Sequence, residues 1–69
     1  MNPIQEFCKE RKVNKIIEEA FTTYVKVSYS TSLMVKQGDT LSSMIKNMTR
    51  ENVNDFWGRF VLDFKDSLS

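Results

Sequence analysis

The clearest amphipathic pattern lies at residues 49–68, which read TRENVNDFWGRFVLDFKDSL. Apolar residues recur there at helical spacing and share one face, whereas the charged residues fall on the other side. The apolar face consists of Val53, Phe56, Trp57, Phe60, Val61, Phe64 and Leu68. Thr49 precedes it and is suited to cap the first turn with its hydroxyl. The pattern predicts a helix over residues 50–67.

Two shorter helices are predicted from their end signals. Gly38 suits the residue just beyond a helix end, and Asp39 or Thr40 suits the cap of the next helix. A short helix is therefore expected at about residues 41–47. At the start of the chain, Asn2 as cap and Pro3 in the first turn predict a helix at about residues 3–11.

The central segment favours one long helix at about residues 13–36. Its apolar residues recur at alternating steps of four and three, the spacing of a coiled-coil seam: Val13, Ile17, Ala20, Tyr24, Val27, Thr31 and Met34. On one continuous helix Ile4 and Phe7 would lie roughly opposite this seam, so a break is expected near residues 11–13.

An α+β alternative remains open at about residues 24–36. Apolar and polar residues alternate there, and the residue types suit a half-buried strand. Such a strand has no obvious partner in this chain, and its backbone would need one from a symmetry mate. The helix is the favoured interpretation.

The preferred fold class is therefore all-α, a single domain of residues 1–69. A chain of 69 residues buries only about 60% of its unfolded surface. It has one cysteine, Cys8, and no histidine, which leaves no intrachain disulfide or zinc site to reinforce the fold. We expect a helical hairpin that completes a bundle by oligomerisation. The expected interface residues are Val53, Phe56, Trp57, Phe60, Phe64, Val13, Ile17 and Tyr24.

No catalytic, cofactor or metal site is expected. Without histidine, the usual general base is missing, and Cys8 lies on an apolar helical face without an activating partner. Only two glycines are present, too few for a phosphate-binding loop. The chain start lacks the features of a secretory signal, and a lone cysteine fits a reducing compartment. The expected location is the cytoplasm, or the host cytoplasm for a viral protein, with no membrane partner.

The function predicted from these features is that of a non-enzymatic protein–protein interaction module: an adaptor, an inhibitor or a structural subunit. Its partner would be another protein or a second copy in a homodimer. The alternative is a small dimeric DNA-binding regulator of the helix-turn-helix or ribbon-helix-helix type. From a recognition helix, Arg50, Asn52 and Asn54 would face DNA; from a ribbon, the residues facing DNA would be Lys26, Ser28 and Ser30. Ten basic against nine acidic residues disfavour nucleic acid as the partner.

Residues 35–46, VKQGDTLSSMIK, resemble the opening of a LysM glycan-binding repeat, which reads V-x-x-G-D-T-L-x-x-I. The resemblance implies a βααβ fold over residues 33–64, with the loop at residues 38–41 beside a sugar groove. Leu33 stands where the family has an aromatic residue, and the last 23 residues do not clearly supply its closing strand. A helix end followed by a helix start explains the same residues. A degenerate glycan-binding module is therefore the second alternative.

Overall fold

The computed structural model describes residues 2–31 and 41–68, which form four α-helices and, over those ranges, no strand. The helices are α1 (Pro3–Glu10), α2 (Lys15–Thr31), α3 (Leu41–Lys46) and α4 (Arg50–Leu68). The all-α prediction is confirmed. The alternative strand is not formed at residues 24–31, which are helical; residues 32–40 lie outside the described part, as does the Gly38 helix break.

The predicted caps of α1 and α4 are confirmed. The Gln5 N–H donates to Asn2 Oδ1 at 2.8 Å, and the Asn2 N–H donates to Gln5 Oε1 at 3.0 Å. This reciprocal pair is a capping box, which satisfies two backbone donors that have no partner within the helix. At α4, the Asn52 N–H donates to Thr49 Oγ1 at 3.1 Å.

The predicted break between α1 and α2 is also confirmed, and it has a defined backbone geometry. Lys12 has a φ of 56°, in the left-handed region. Its N–H donates to the Lys9 carbonyl at 3.2 Å, and the Val13 N–H donates to the Cys8 carbonyl at 2.9 Å. These two bonds form a Schellman motif, which ends a helix by satisfying its last carbonyls. Asn14 then caps α2, because its Oδ1 accepts from the backbone N–H three residues later at 2.9 Å.

The break turns the chain so that α1 packs against the other helices. All four helices contribute to one apolar core. Among the described residues no polar or charged side chain is buried. Each large apolar side chain transferred from water to this core contributes about 1.5–3 kcal/mol before the entropy cost of ordering it. The buried residues are Ile4, Phe7, Cys8, Phe21, Val25, Ile45, Met48, Val53 and Phe60.

The C-terminal half of α4 departs from a regular helix at Phe64, whose φ of −122° and ψ of 19° mark a kink. The segments on both sides of this kink are helical, so residues 50–68 form no strand. The closing strand that a LysM arrangement requires before residue 64 is therefore not formed. The completion of a bundle by oligomerisation stays a prediction.

Candidate interaction surface

The apolar stripe of α4 begins inside the core at Val53 and reaches the surface at Phe64. Val53 and Phe60 are 0% and 2% exposed, so the other helices of the same chain enclose them. Phe56 and Trp57 are half-buried and pack against this core. Phe64 is 42% exposed. Of these five predicted interface residues, Phe64 is the one that a partner reaches most readily.

The buried part of the stripe belongs to a cluster of aromatic rings centred on Phe21. The Phe21 ring centroid lies 5.1 Å from that of Trp57 in an edge-on arrangement, 5.4 Å from Phe60 and 6.3 Å from Phe7. Edge-on and tilted pairs at such distances are the favoured geometries of aromatic rings. The cluster joins α1, α2 and α4 and leaves little of the stripe for docking.

The other three predicted interface residues, Val13, Ile17 and Tyr24, are half-buried at the edge of the core. The Tyr24 hydroxyl donates to Asp63 Oδ2 at 2.9 Å, which ties α2 to the C-terminal half of α4. Partial burial raises the pKa of Tyr24, and the hydrogen bond and charge of Asp63 raise it further. Tyr24 is thus a packing and bridging residue between two helices.

A line of exposed residues on the outside of α2 begins and ends with a large apolar side chain. Ile16 is 79% exposed and Val27 is 54% exposed, and the exposed residues Ala20 and Thr23 lie between them. The steps from one to the next are four, three and four residues, so all four lie on one face of the helix. We refer to Ile16, Ala20, Thr23 and Val27 as the outer seam.

The seam predicted from the sequence lies between two faces of α2 in the structure. These are the inner face, which packs in the core, and the outer seam. The predicted seam includes Ala20 and Val27, which are exposed, and leaves out Phe21. In the structure Phe21 and Val25 are both 0% exposed and form the centre of the inner face. The size of Phe21 was the available clue, because the largest apolar side chain removes the most surface from water when buried.

A second exposed apolar site lies on α4. Leu62 is 72% exposed and falls off the stripe that faces the core. Its neighbours three and four positions away on the helix are Gly58, Arg59, Lys65 and Asp66, and single exposed apolar residues are ordinary on protein surfaces. Leu62 alone therefore defines no site.

The only thiol of the chain is poorly placed for chemistry. Cys8 is 1% exposed, and burial raises its pKa to about 11, with a further contribution from the charge of Glu18. A thiol becomes nucleophilic by the opposite change, a lowered pKa at an accessible position. In residues 2–31 and 41–68, no three histidine, cysteine or acidic residues are grouped so that they could hold a metal ion.

A shallow groove of about 470 Å³ runs between the start of α1 and α2. Its walls are polar and carry both signs of charge, from Lys15 and Lys26 and from Glu18 and Glu19. Such mixed, solvated walls provide neither an apolar pocket nor a field of one sign, the usual features of a small-molecule site.

The first turn of α4, which the DNA-binding alternative assigns to base recognition, makes contacts within the chain. The Arg50 guanidinium donates two hydrogen bonds to the Glu10 carboxylate of α1, which together make an ion pair. Arg11 Nη2 donates to Asn54 Oδ1 at 3.3 Å, and its guanidinium lies 4.5 Å from the centre of the Phe7 ring. Arg50 and Asn54 thus hold α1 against α4, which lends the DNA alternative no support.

Over the described ranges, none of the helices combines the length and the apolar character needed to cross a membrane. Comparison of the chain with protein-family models, with curated proteins and with solved structures gives no match.

Proposed function

We propose that this protein is a small non-enzymatic interaction module that binds a partner protein through the outer seam of α2. The observation that carries the proposal is the exposure of Ile16 and Val27, 79% and 54%, on one face of one helix. Apolar side chains lined up in this way lower the free energy of the molecule when a partner covers them.

The spacing of the outer seam supports a helical partner. Residues that alternate at steps of four and three form the contact line between two packed helices. The two central residues, Ala20 and Thr23, are small, and small side chains allow a second helix to approach closely. An amphipathic helix laid along this seam is the occupant that the pattern favours.

Two further features favour a binding role over a catalytic one. The groove between α1 and α2 offers no buried acid or base, and Cys8 is enclosed in the core. An adaptor, an inhibitor and a structural subunit all use such a surface. We place the protein in a reducing compartment such as the cytoplasm, where an unpaired thiol persists.

Site-specific photo-crosslinking in the native cell tests the proposal. A photo-reactive amino acid replaces Thr23 at the centre of the outer seam and, in the control, the exposed Asp55 on α4. We expect covalent adducts with protein from position 23 and few from position 55. Equal labelling from both positions, or none from position 23, would overturn the proposal.

A further inference from the structure

The outer seam is its own complement when two copies of α2 run antiparallel. In an antiparallel pair of identical helices, residues at the same level have numbers with a constant sum. The outer pair of the seam, 16 and 27, and its inner pair, 20 and 23, have the same sum. One antiparallel register therefore sets Ile16 against Val27 of a second copy and Ala20 against Thr23, each contact occurring twice. Large side chains then enclose a centre of small ones.

The charges beside the outer seam follow the same symmetry. Glu19 and Lys26 are exposed, and each immediately precedes a seam residue, so both lie on the same flank. In antiparallel helix pairs, residues on this flank meet their equivalents from the other chain. The register above brings Glu19 within about 3 Å, along the helix axis, of Lys26 of the second copy. Two opposite-charge pairs result.

The competing parallel arrangement lacks this match. It sets Glu19 beside Tyr24 of the second copy, and Lys26 beside residue 31, because parallel helices pair the two opposite flanks. Neither contact joins opposite charges. Charge complementarity thus selects the antiparallel pair.

From this match in shape and charge we infer that the protein forms a symmetric dimer in which the outer seams of two α2 helices pack antiparallel. The inference rests on the proposed function, because it names the helix that covers the seam as α2 of a second copy. The contact spans about three helical turns, which is a small interface, so the dimer dissociates on dilution.

Sedimentation of charge variants tests the pairing. Glu19→Lys gives the flank two lysines, and Lys26→Glu gives it two glutamates. In a dimer of either variant, like charges therefore face each other and weaken the contact. We expect each to raise the dissociation constant roughly five- to tenfold, since two attractive contacts become repulsive. Both residues are exposed, so the helical circular dichroism should stay unchanged.

An equimolar mixture of the two variants makes the test specific. A Glu19→Lys chain, whose flank carries two lysines, then meets a Lys26→Glu chain, whose flank carries two glutamates. Every flank contact in this mixed dimer is attractive, and we expect the dimer to return at wild-type strength or above. Asp55→Lys, an equal change of charge on α4, should leave the dissociation constant unchanged. A mixture that stays as monomeric as its two components would overturn the antiparallel pairing.

The mass of the wild-type protein in solution tests the dimer separately from the proposed function. A chain that remains monomeric up to roughly 500 µM, where even small interfaces associate, overturns the self-pairing. If crosslinks from position 23 then identify a different protein, the proposed function stands without it. A monomer that also gives no crosslinks overturns both.

Discussion

The two faces of α2 carry similar apolar residues in opposite environments. Val25 is 0% exposed on the inner face, whereas Val27, two positions later, is 54% exposed on the outer seam. Phe21 is likewise buried on the inner face, and Ile16 is exposed on the outer seam. Hydrophobic residues alone therefore do not identify a core; their position relative to the other helices decides whether they are buried in it or stay exposed on the surface. This difference can be measured by substitution.

The largest effect is expected for Phe21→Ala. The substitution removes a ring that contacts Phe7, Trp57 and Phe60 and leaves a cavity among three helices. Such losses cost about 3–5 kcal/mol, which is comparable to the whole stability of a domain this small. We expect loss of the cooperative thermal transition in far-UV circular dichroism.

Ile16→Ala is the control from the outer face. Its side chain is 79% exposed, so its removal should leave the monomer folded with a melting temperature close to that of the wild type. If Ile16→Ala unfolded the dilute protein as Phe21→Ala does, the distinction between the two faces would be wrong.

The second prediction concerns Cys8, which reports on the core. Because the thiol is 1% exposed and its pKa is raised to about 11, we expect native protein to react with a thiol reagent at least about a hundredfold more slowly than unfolded protein. The rate in increasing urea should follow the unfolding transition. Rapid labelling in buffer would show that α1 does not stay packed on the core.

The raised pKa of Cys8 predicts how the free energy of unfolding changes at high pH. Its pKa rises from 9.0 to about 11 on folding, so the neutral form is favoured in the native state. The resulting stabilisation is fully present below pH 9.0 and is lost as the pH rises towards about 11. Cys8→Ala should reduce this loss, which urea unfolding at pH 8 and pH 10.5 can measure.

The matched pair Val25→Ala and Val27→Ala compares the two faces most directly. The chemical change is identical, and the sites are on the same helix. We expect Val25→Ala to lower the free energy of unfolding by about 2 kcal/mol and Val27→Ala to change it by less than about 0.5 kcal/mol in dilute protein. Equal values from urea denaturation would contradict the assignment of faces.

The helices were largely predictable from local chemistry. The caps at Thr49 and Asn2 depend on backbone groups within a few residues, and such interactions act before any tertiary contact forms. Where the structure describes them, the predicted starts of α1, α3 and α4 agree with the observed ones, and the other ends differ by one or two residues, because cap and turn residues complete the hydrogen bonding there. These features need no knowledge of the fold.

The orientation of α2 was not predictable in this way. Its apolar residues occupy more than half of its circumference, so several lines at steps of four and three can be drawn through them. The choice among these lines depends on where α1 and α4 pack, and that is set by residues far away in sequence. The burial of Val53 and Phe60 depends on the same distant contacts, because both fill the core that α1 helps to close.

Gly58 gives a smaller test on the outer side of α4. It lies inside the helix, is exposed, and an added Cβ would meet nothing within 4 Å. Gly58→Ala should therefore stabilise the protein by about 0.8–1 kcal/mol through helix propensity alone. A lower melting temperature for this variant would indicate that the site is covered by another molecule.

The smallest effect is expected at the break that separates α1 from α2. Lys12 has a φ of 56°, which costs a residue with a Cβ about 1–2 kcal/mol, whereas glycine adopts it freely. Glycine also gains more freedom in the unfolded chain, so Lys12→Gly should stabilise the protein by a net amount of about 0.5 kcal/mol. Lys9→Gly, three residues earlier within α1, should instead destabilise it by about 1 kcal/mol. Opposite signs in urea denaturation would establish that the turn between the two helices, which orients α1 towards the inner face of α2, forms as described; a loss of stability in both variants would contradict it.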